Sequence, residues 1–347
     1  MIGKDTFLRA GYLTCVALVA AYLTGIAAYF LLRLLIGDRH WTISFLNNVS
    51  IYVILPLIFC FPIALALRLK PLWISSLALL LISTIWLSPY FLPHRRAGSS
   101  GSQIKIVTFN IWGGNTEQNQ VANWIQQTNA DIVFLQEVPD SFTNNVLPLL
   151  RDHYAYQYRQ ETEQHWWSNA VLSKYPLETI TDLDPENDIW STRQRLVVHI
   201  FDSQIALYSI HLTYTTQHAR ISTSSPLLSA VTRYDDTDRN LELDHLVAEI
   251  QKESLPFIVA GDFNMSAQAV SYNKLVKVMN DSFLEAGYGL GGTWPVSDVA
   301  SFPSMIPPLM RIDYIWHSQH FQAIEAIVGP RLGSDHLPIY TVLEIVQ

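Results

Sequence analysis

Three largely apolar stretches, about Leu13 to Leu35, Val49 to Leu67 and Leu72 to Leu92, constrain the first third of this chain more than any other feature. Each is close to the roughly 20 residues that carry a helix across the hydrocarbon of a bilayer. Lipid offers no partner for backbone N–H and C=O groups, so segments of this composition are expected to be helical. Trp41, Trp73, Trp86 and Tyr90 fall near the ends of the stretches, where interfacial aromatics collect. The first stretch follows Lys4 and Arg9 and carries small residues at Ala27-Ala28, as a signal peptide would. It is too long for such a core and two more follow it, so a retained three-helix anchor over residues 1–96 is the expectation.

Charge separates this part from the remainder. Residues 1–96 hold eight of the 22 Lys and Arg but only two of the 30 Asp and Glu, which leaves the rest of the chain with a formal net charge of −14. The basic residues flank the stretches four against four, so the positive-inside rule does not orient them. The short N-terminal tail favours an N-in arrangement, a multi-pass membrane protein with its soluble part extracytoplasmic. No basic run follows Arg96, which argues against tracking along nucleic acid by phosphate neutralisation. Cys15 and Cys60 both lie in apolar runs and read as small buried hydrophobes.

Residues 97–103 begin with Ala97-Gly98-Ser99-Ser100-Gly101-Ser102, a flexible linker by composition. Beyond it, apolar runs of strand length at Ile104–Phe109, Asp131–Leu135, Ala170–Leu172, Leu196–Ile200, Ile205–Ile210, Phe257–Ala260, Ile312–Trp316 and Ile339–Ile345 alternate with helical patterns at Glu117–Thr128, Asp238–Gln251 and Ala267–Met279. Such alternation predicts α/β layers over residues 104–347. The polar stretch from Thr213 to Asp236 reads as a long surface excursion.

Polar residues close several of these runs. Thr108-Phe109-Asn110, Gln136-Glu137-Val138, Ile210-His211-Leu212, Gly261-Asp262-Phe263-Asn264 and Ser334-Asp335-His336-Leu337-Pro338 each sit at the border of a buried strand, and Arg311-Ile312-Asp313-Tyr314 opens another. Glu137 is the leading ligand for a hard cation such as Mg²⁺, and Asp335 a second. Gly261 lets the backbone turn tightly ahead of a carboxylate and an amide spaced two apart. Asp313 is the carboxylate that would orient the imidazole of His336 and raise its pKa.

These six motifs, in this order, make the region from Ile104 to Gln347 resemble the endonuclease/exonuclease/phosphatase superfamily, whose members include deoxyribonucleases, apurinic endonucleases, neutral sphingomyelinases and inositol-polyphosphate 5-phosphatases. Bacterial members with a hydrophobic N-terminal region look similar overall, including Thr293-Trp294-Pro295. The resemblance implies a four-layer α/β sandwich, two mixed sheets face to face with helices outside. It implies catalytic roles for Asn110, His211, Asp262, Asn264, Asp313 and His336, and metal ligation by Glu137 and Asp335. One departure is Ser168, where many relatives have Gly. Arg193 or Arg195 is a further candidate, for contact with substrate phosphate.

The function expected is Mg²⁺-dependent hydrolysis of a phosphodiester or phosphomonoester by in-line attack of water, with Mn²⁺ as a substitute metal. The tether, the acidity and the aromatic cluster His165-Trp166-Trp167 lean towards a lipid headgroup or small phosphoester. A membrane-anchored nuclease is the alternative, and a catalytically silent scaffold a third hypothesis.

Overall fold

The computed structural model describes residues 4–92, 101–160, 168–182, 192–201, 203–215, 234–296 and 307–346. The cluster His165-Trp166-Trp167, residues 216–233 of the polar excursion and Ala97–Ser100 of the linker lie outside the described residues. The chain divides into two compact units, Met1–Phe91 and Leu92–Gln347.

The first unit is helical: α1 Lys4–Ile36, α2 Trp41–Asn48, α3 Ser50–Ile54, α4 Leu57–Ala66 and α5 Lys70–Leu87. Thr6–Arg39 and Lys70–Tyr90 are long and apolar enough to cross a membrane, and the segments Trp41–Asn48 and Ser50–Ala66 pass that test only together, bent by 79°. The bend falls at the start of the expected second stretch, which itself divides into α3 and α4. Pro56 and Pro62 lack the N–H that an intact helical ladder needs, and the bend falls among the buried polar residues Asn47, Asn48 and Ser50. Val19, Leu23, Ile26, Ile54, Leu57, Ala64 and Leu79 form the core of this unit.

The second unit holds two six-stranded mixed sheets. With β1 Gln103–Asn110, β2 Ile132–Val138, β3 Tyr156–Arg159, β4 Ser168–Ser173, β5 Leu177–Asp182, β6 Thr192–Ile200, β7 Ser203–His211, β8 Phe257–Asp262, β9 Asn280–Asp281, β10 Asp313–His317, β11 Phe321–Val328 and β12 Ile339–Ile345, one sheet runs β11-β12-β1-β2-β4-β3 and the other β5-β6-β7-β8-β10-β9. Its described helices are α6 Gln118–Thr128, α7 Asp140–Asn145, α8 Thr237–Ile250, α9 Tyr272–Val276 and α10 Ser282–Ala286. This is the four-layer sandwich anticipated from the motifs. The helix expected over Ala267–Met279 shrinks to α9, preceded by turns. Strands β3, β5, β9 and β11 were not anticipated.

Alternation along the strands builds the core and then the site. Ile104 and Ile106 of β1, Ile132 and Phe134 of β2, Leu196 and Val198 of β6, Ile205 and Leu207 of β7, Ile258 and Ala260 of β8 and Ile315 of β10 share one cluster. Continuing the same period of two, the next side chains on these faces are Thr108 and Asn110, Ser209 and His211, Asp262 and Asp313. The core thus turns polar at one rim. Val107, Phe109, Val133 and Leu135 point the other way and pack with Val121 and Ile125 of α6.

Behind β10 lies a buried ion pair. Arg311 donates to both carboxylate oxygens of Asp281, at 2.7 and 2.6 Å, with each side chain 1% exposed. Tyr272 Oη donates to the same carboxylate at 2.5 Å, and the Tyr314 hydroxyl ties the Arg311 carbonyl to that of Met265. Burial alone would raise the Asp281 pKa, but the charge and hydrogen bonds of Arg311 hold it below the ordinary aspartate value. Asp281→Asn strands the guanidinium and is expected to cost about 3–5 kcal/mol in chemical denaturation of the detergent-solubilised chain at pH 7. Because the folded pKa is depressed, this stabilisation is complete above the unfolded pKa and lost as pH falls through the folded one. The difference between wild type and variant should therefore narrow in acid; a difference that is small at pH 7, or that grows in acid, contradicts the assignment.

Candidate active site

At the polar rim the parallel strands β1, β2, β7 and β8 end, and the antiparallel strands β10 and β12 begin. Asn110, at the end of β1, is the central connector. Its Nδ2 donates to Glu137 Oε1 at 3.1 Å and to Asp262 Oδ2 at 3.0 Å, while its Oδ1 accepts from the Trp112 N–H at 3.1 Å. One amide therefore spans the two sheets and holds two carboxylates.

Glu137 has φ +54, and the pairing of β2 with β4 slips between Leu135 and Val138 at this point. Left-handed backbone is costly for a residue with a Cβ and tends to gather at functional sites. The irregularity turns the carboxylate into the rim, where Oε2 accepts from the Gly113 N–H at 3.3 Å. Burial raises the Glu137 pKa and the charge of Asp335 adds to the rise, against the opposing effects of Asn110 and His336.

Asp262 depends on close strand approach. A Cβ on Gly261, which has φ +149, would meet the Ile210 carbonyl oxygen at 1.7 Å, so glycine is what lets β8 lie against β7 here. Asp262 is 1% exposed, and its Oδ1 accepts from the Asn264 N–H at 2.8 Å. Asn264, itself at φ +48, donates through Nδ2 to the Leu212 carbonyl at 2.8 Å. Burial pushes Asp262 up to about 6, with the neighbouring Asp313 adding to the effect and His336 and His211 opposing it.

The two histidines approach Asp262 Oδ2 from different strands, His211 Nε2 at 3.9 Å and His336 Nε2 at 3.7 Å. His211 Nε2 also lies 3.8 Å from Glu137 Oε1. Burial lowers the His211 pKa more than Asp262 raises it, which favours neutral imidazole. His336 differs. Burial would lower it too, but Asp313, whose Oδ2 lies 2.9 Å from Nδ1, together with Asp262 carries it well above the ordinary histidine value. His336 thus sits between two carboxylates that favour its imidazolium form.

Asp262, Asp313 and His336 offer ligand atoms within 4.8 Å of one another and so form a candidate metal-binding group. Protonation of His336 would compensate this group, whereas Glu137, with Asp335 adding negative charge nearby, accepts hydrogen bonds from the neutral Asn110 amide and Gly113 N–H. The carboxylates of Glu137, Asp262, Asp313 and Asp335 offer hard oxygen donors, and the buried Asp313 Oδ1 has no hydrogen-bond partner among the described residues. A hard divalent cation fits these residues.

Arg193 does not join them. Its pairing partner on β7 is Ile210, so it shares the outer face of the sheet with Arg195, opposite to His211. There it is 3% exposed, and Nη1 donates to the Glu242 carbonyl of α8 at 3.4 Å. Arg195 pairs with Glu253 at 2.8 Å. Strand alternation thus directs both away from the rim, and the expected phosphate contact of Arg193 is withdrawn. Ser168 is fully buried, accepts from Arg159 Nε at 2.6 Å and donates to the Val138 carbonyl at 3.0 Å, bracing the strand that carries Glu137.

Several groups that the sequence analysis assigned no role support the site. Ser334 Oγ donates to the Asn110 carbonyl at 2.7 Å and accepts from the His336 N–H at 3.0 Å, and Thr293 Oγ1 accepts from the Ile312 N–H at 3.2 Å. Trp294 Nε1 points at Asp335 Oδ2 across 3.4 Å. From α8, Arg239 donates to the Asn264 carbonyl at 2.8 Å, and the Glu242 carboxylate accepts from both the N–H and the hydroxyl of Thr213. One helix thereby holds the turns that follow Asp262 and His211.

Residues 107–336, about two thirds of the chain, match the Endonuclease/Exonuclease/phosphatase family. No curated protein is similar enough in sequence to match. Among solved structures, TDP2 from C. elegans is similar at 19% identity and a TM-score of 0.55, over 71% of this chain and 77% of that one. An endonuclease/exonuclease/phosphatase from Bacteroides vulgatus has 17% identity and a TM-score of 0.55, over 71% of this chain and 100% of its own. D. rerio TDP2 complexed with single strand DNA product has 16% identity and a TM-score of 0.55, over 70% and 99% respectively. At these identities the likeness is one of fold.

Proposed function

This chain belongs to the endonuclease/exonuclease/phosphatase family and is a metal-dependent hydrolase of phosphoester bonds, and we propose that it is a membrane-anchored, Mg²⁺-dependent phosphoesterase acting on a lipid headgroup or another small phosphoester. Residues 1–96 are its anchor, 97–103 its linker and 104–347 its catalytic domain, which lies on the extracytoplasmic side. The observation that carries the reading is the Asn110 amide bridging Glu137 and Asp262 beside the His336 imidazole held between Asp262 and Asp313.

Glu137 and Asp335 would hold Mg²⁺, with Mn²⁺ fitting the same hard donors, and the chemistry that ion supplies when bound is charge stabilisation on the phosphoryl and leaving oxygens. Asp262 orients the attacking water and accepts its proton. A carboxylate with a pKa of about 6 is ionised at neutral pH yet basic enough for that task. Asn264 fixes Asp262 through its N–H, and Asn110 keeps both carboxylates in register. His336, charged and oriented by Asp313, donates from Nε2 to a phosphoryl oxygen, and the neutral His211 donates to the phosphate or leaving oxygen. Positioning and charge stabilisation account for most of the rate in such chemistry.

Substrate choice is drawn from charge and tethering. A formal net charge of −14 beyond Arg96 disfavours long nucleic acid, and anchoring helices keep the site near lipid. The second reading, a membrane-anchored nuclease, is favoured by the likeness to D. rerio TDP2, whose structure holds single strand DNA product. Competitive hydrolysis by the full chain in liposomes, with Mg²⁺ in physiological salt, separates the two. We expect turnover of phospholipid, sphingomyelin or inositol phosphate in preference to plasmid. Plasmid cleavage that falls steeply with salt, with no turnover of any lipid or small phosphoester, would put the nuclease first.

A further inference from the structure

We propose that the bent middle segment of the N-terminal unit crosses the membrane completely, so that the unit makes three crossings, α2 lies in the headgroup plane, and the chain leaves the anchor on the face opposite its N-terminus. This rests on the reading of the unit as a membrane anchor. Length and composition leave the bent pair open between a broken crossing and a re-entrant loop. The two differ in where the segment ends. A re-entrant loop returns to the face it left, so its first and last residues lie at one level; a crossing antiparallel to α1 has its start beside the end of α1 and its end beside the start of α1.

Three tyrosines of α1 mark three levels. The Tyr29 hydroxyl donates to Asn47 Oδ1 at 3.0 Å, the Tyr22 hydroxyl to the Val53 carbonyl at 2.9 Å, and the Tyr12 hydroxyl reaches the Leu67 carbonyl at 3.5 Å. Moving back along α1, the partner moves steadily forward along the segment. Cys15 and Cys60, packed against one apolar cluster with Leu23, Ile54 and Leu57, fit the same antiparallel run. From Tyr12 to Tyr29 a helix rises about 25 Å, close to the roughly 30 Å of bilayer hydrocarbon. The segment therefore returns along most of the thickness that α1 covers, which a loop turning back midway does not do.

Helix α5 repeats the direction of α1. Near its end, the Trp86 ring lies 5.8 Å from Phe30 and the Arg33 guanidinium sits 4.6 Å over that ring, so the C-terminal ends of α1 and α5 share a level. The chain then runs out, back and out again. If Ser50–Ala66 follows the membrane normal, the 79° bend lays α2 nearly in the membrane plane. Its surroundings suit headgroups. Asp38 accepts from Asn47 Nδ2 at 2.6 Å, His40 Nδ1 faces Thr42 Oγ1 at 2.8 Å, Trp41 is 43% exposed, and Arg33 and Arg39 are close in sequence. Tryptophan and long basic side chains are the residues that settle at the lipid–water interface.

The test is cysteine accessibility in the full-length chain. With Cys15 and Cys60 replaced by Ser, single cysteines are introduced as Gly3→Cys, Thr42→Cys, Leu69→Cys and Ser100→Cys, and sealed vesicles of uniform orientation are treated with a membrane-impermeant maleimide before and after permeabilisation. Retention in the membrane pellet after alkaline wash is scored for every variant. We expect Thr42→Cys and Ser100→Cys to label as one pair, and Gly3→Cys and Leu69→Cys as the other pair, from the opposite face. Pairing of Gly3→Cys with Ser100→Cys, and of Thr42→Cys with Leu69→Cys, is the re-entrant pattern and overturns the proposal. Release of the unmodified chain by the wash, with all positions labelled before permeabilisation, overturns the anchor reading as well.

Discussion

Glu137→Gln is expected to lower turnover at saturating Mg²⁺ by at least about two orders of magnitude, because several kcal/mol of charge stabilisation in the transition state would be lost. The substitution keeps the shape of the side chain. Its oxygen can still accept from Asn110 or Gly113, so β2 and its irregular turn should survive. What disappears is the charge. In wild type that charge is held against burial and against Asp335, both of which push the Glu137 pKa up, and among the described residues only neutral donors bond to it directly. A carboxylate in such surroundings is poised for a cation, and chelation should abolish wild-type turnover while Mg²⁺ or Mn²⁺ restores it. Steady-state kinetics over a Mg²⁺ titration check both parts. Near wild-type turnover by Glu137→Gln at saturating metal would remove Glu137 from the site.

Much of the arrangement was legible because strand alternation is a strong signal when the buried face is uniformly apolar. Ile104, Ile106, Thr108 and Asn110 state in the sequence where the core ends and the rim begins, and Ile258, Ala260 and Asp262 repeat it. The period of two also predicts faces, and applied to Leu196, Val198 and Ile200 it would have turned Arg193 outward from the start. Edge strands were harder to see. Tyr156–Arg159 exposes or half-exposes every residue, and Phe321–Val328 carries a register shift between Ala323 and Glu325, so neither presents a regular apolar period. Ala267–Met279 has helical composition, but the buried residues Ala267, Gln268 and Ala269 lie in turns and bends, and the helix begins only at Tyr272, whose hydroxyl reaches Asp281. Arg239 and Glu242 lie three apart on an otherwise amphipathic helix and read as solvated charges; only the fold brings Asn264 and Thr213 to them. The same holds for the bend after Asn48, where hydropathy sees the apolar run but not the change of direction.

His336 and Asp313 are expected to behave as one unit. Their bond is 2.9 Å, and the two side chains are 6% and 0% exposed, so water cannot replace either partner readily. Removing Asp313 alone leaves a buried imidazole whose proton is no longer favoured by its nearest carboxylate, while Asp262, 3.7 Å from Nε2, is left as the remaining charge partner. His336→Ala removes the donor outright and should cost roughly 10²–10⁴ in turnover. Once that donor is gone, Asp313 has nothing to orient, and the double variant His336→Ala with Asp313→Ala should fall within about tenfold of His336→Ala, far short of the product of the two single losses. Measuring kcat for the four members of this cycle, at equal folded fraction, decides it. Losses that multiply would mean that Asp313 acts on the substrate side by a route of its own, and its unbonded Oδ1 would then be the atom to examine.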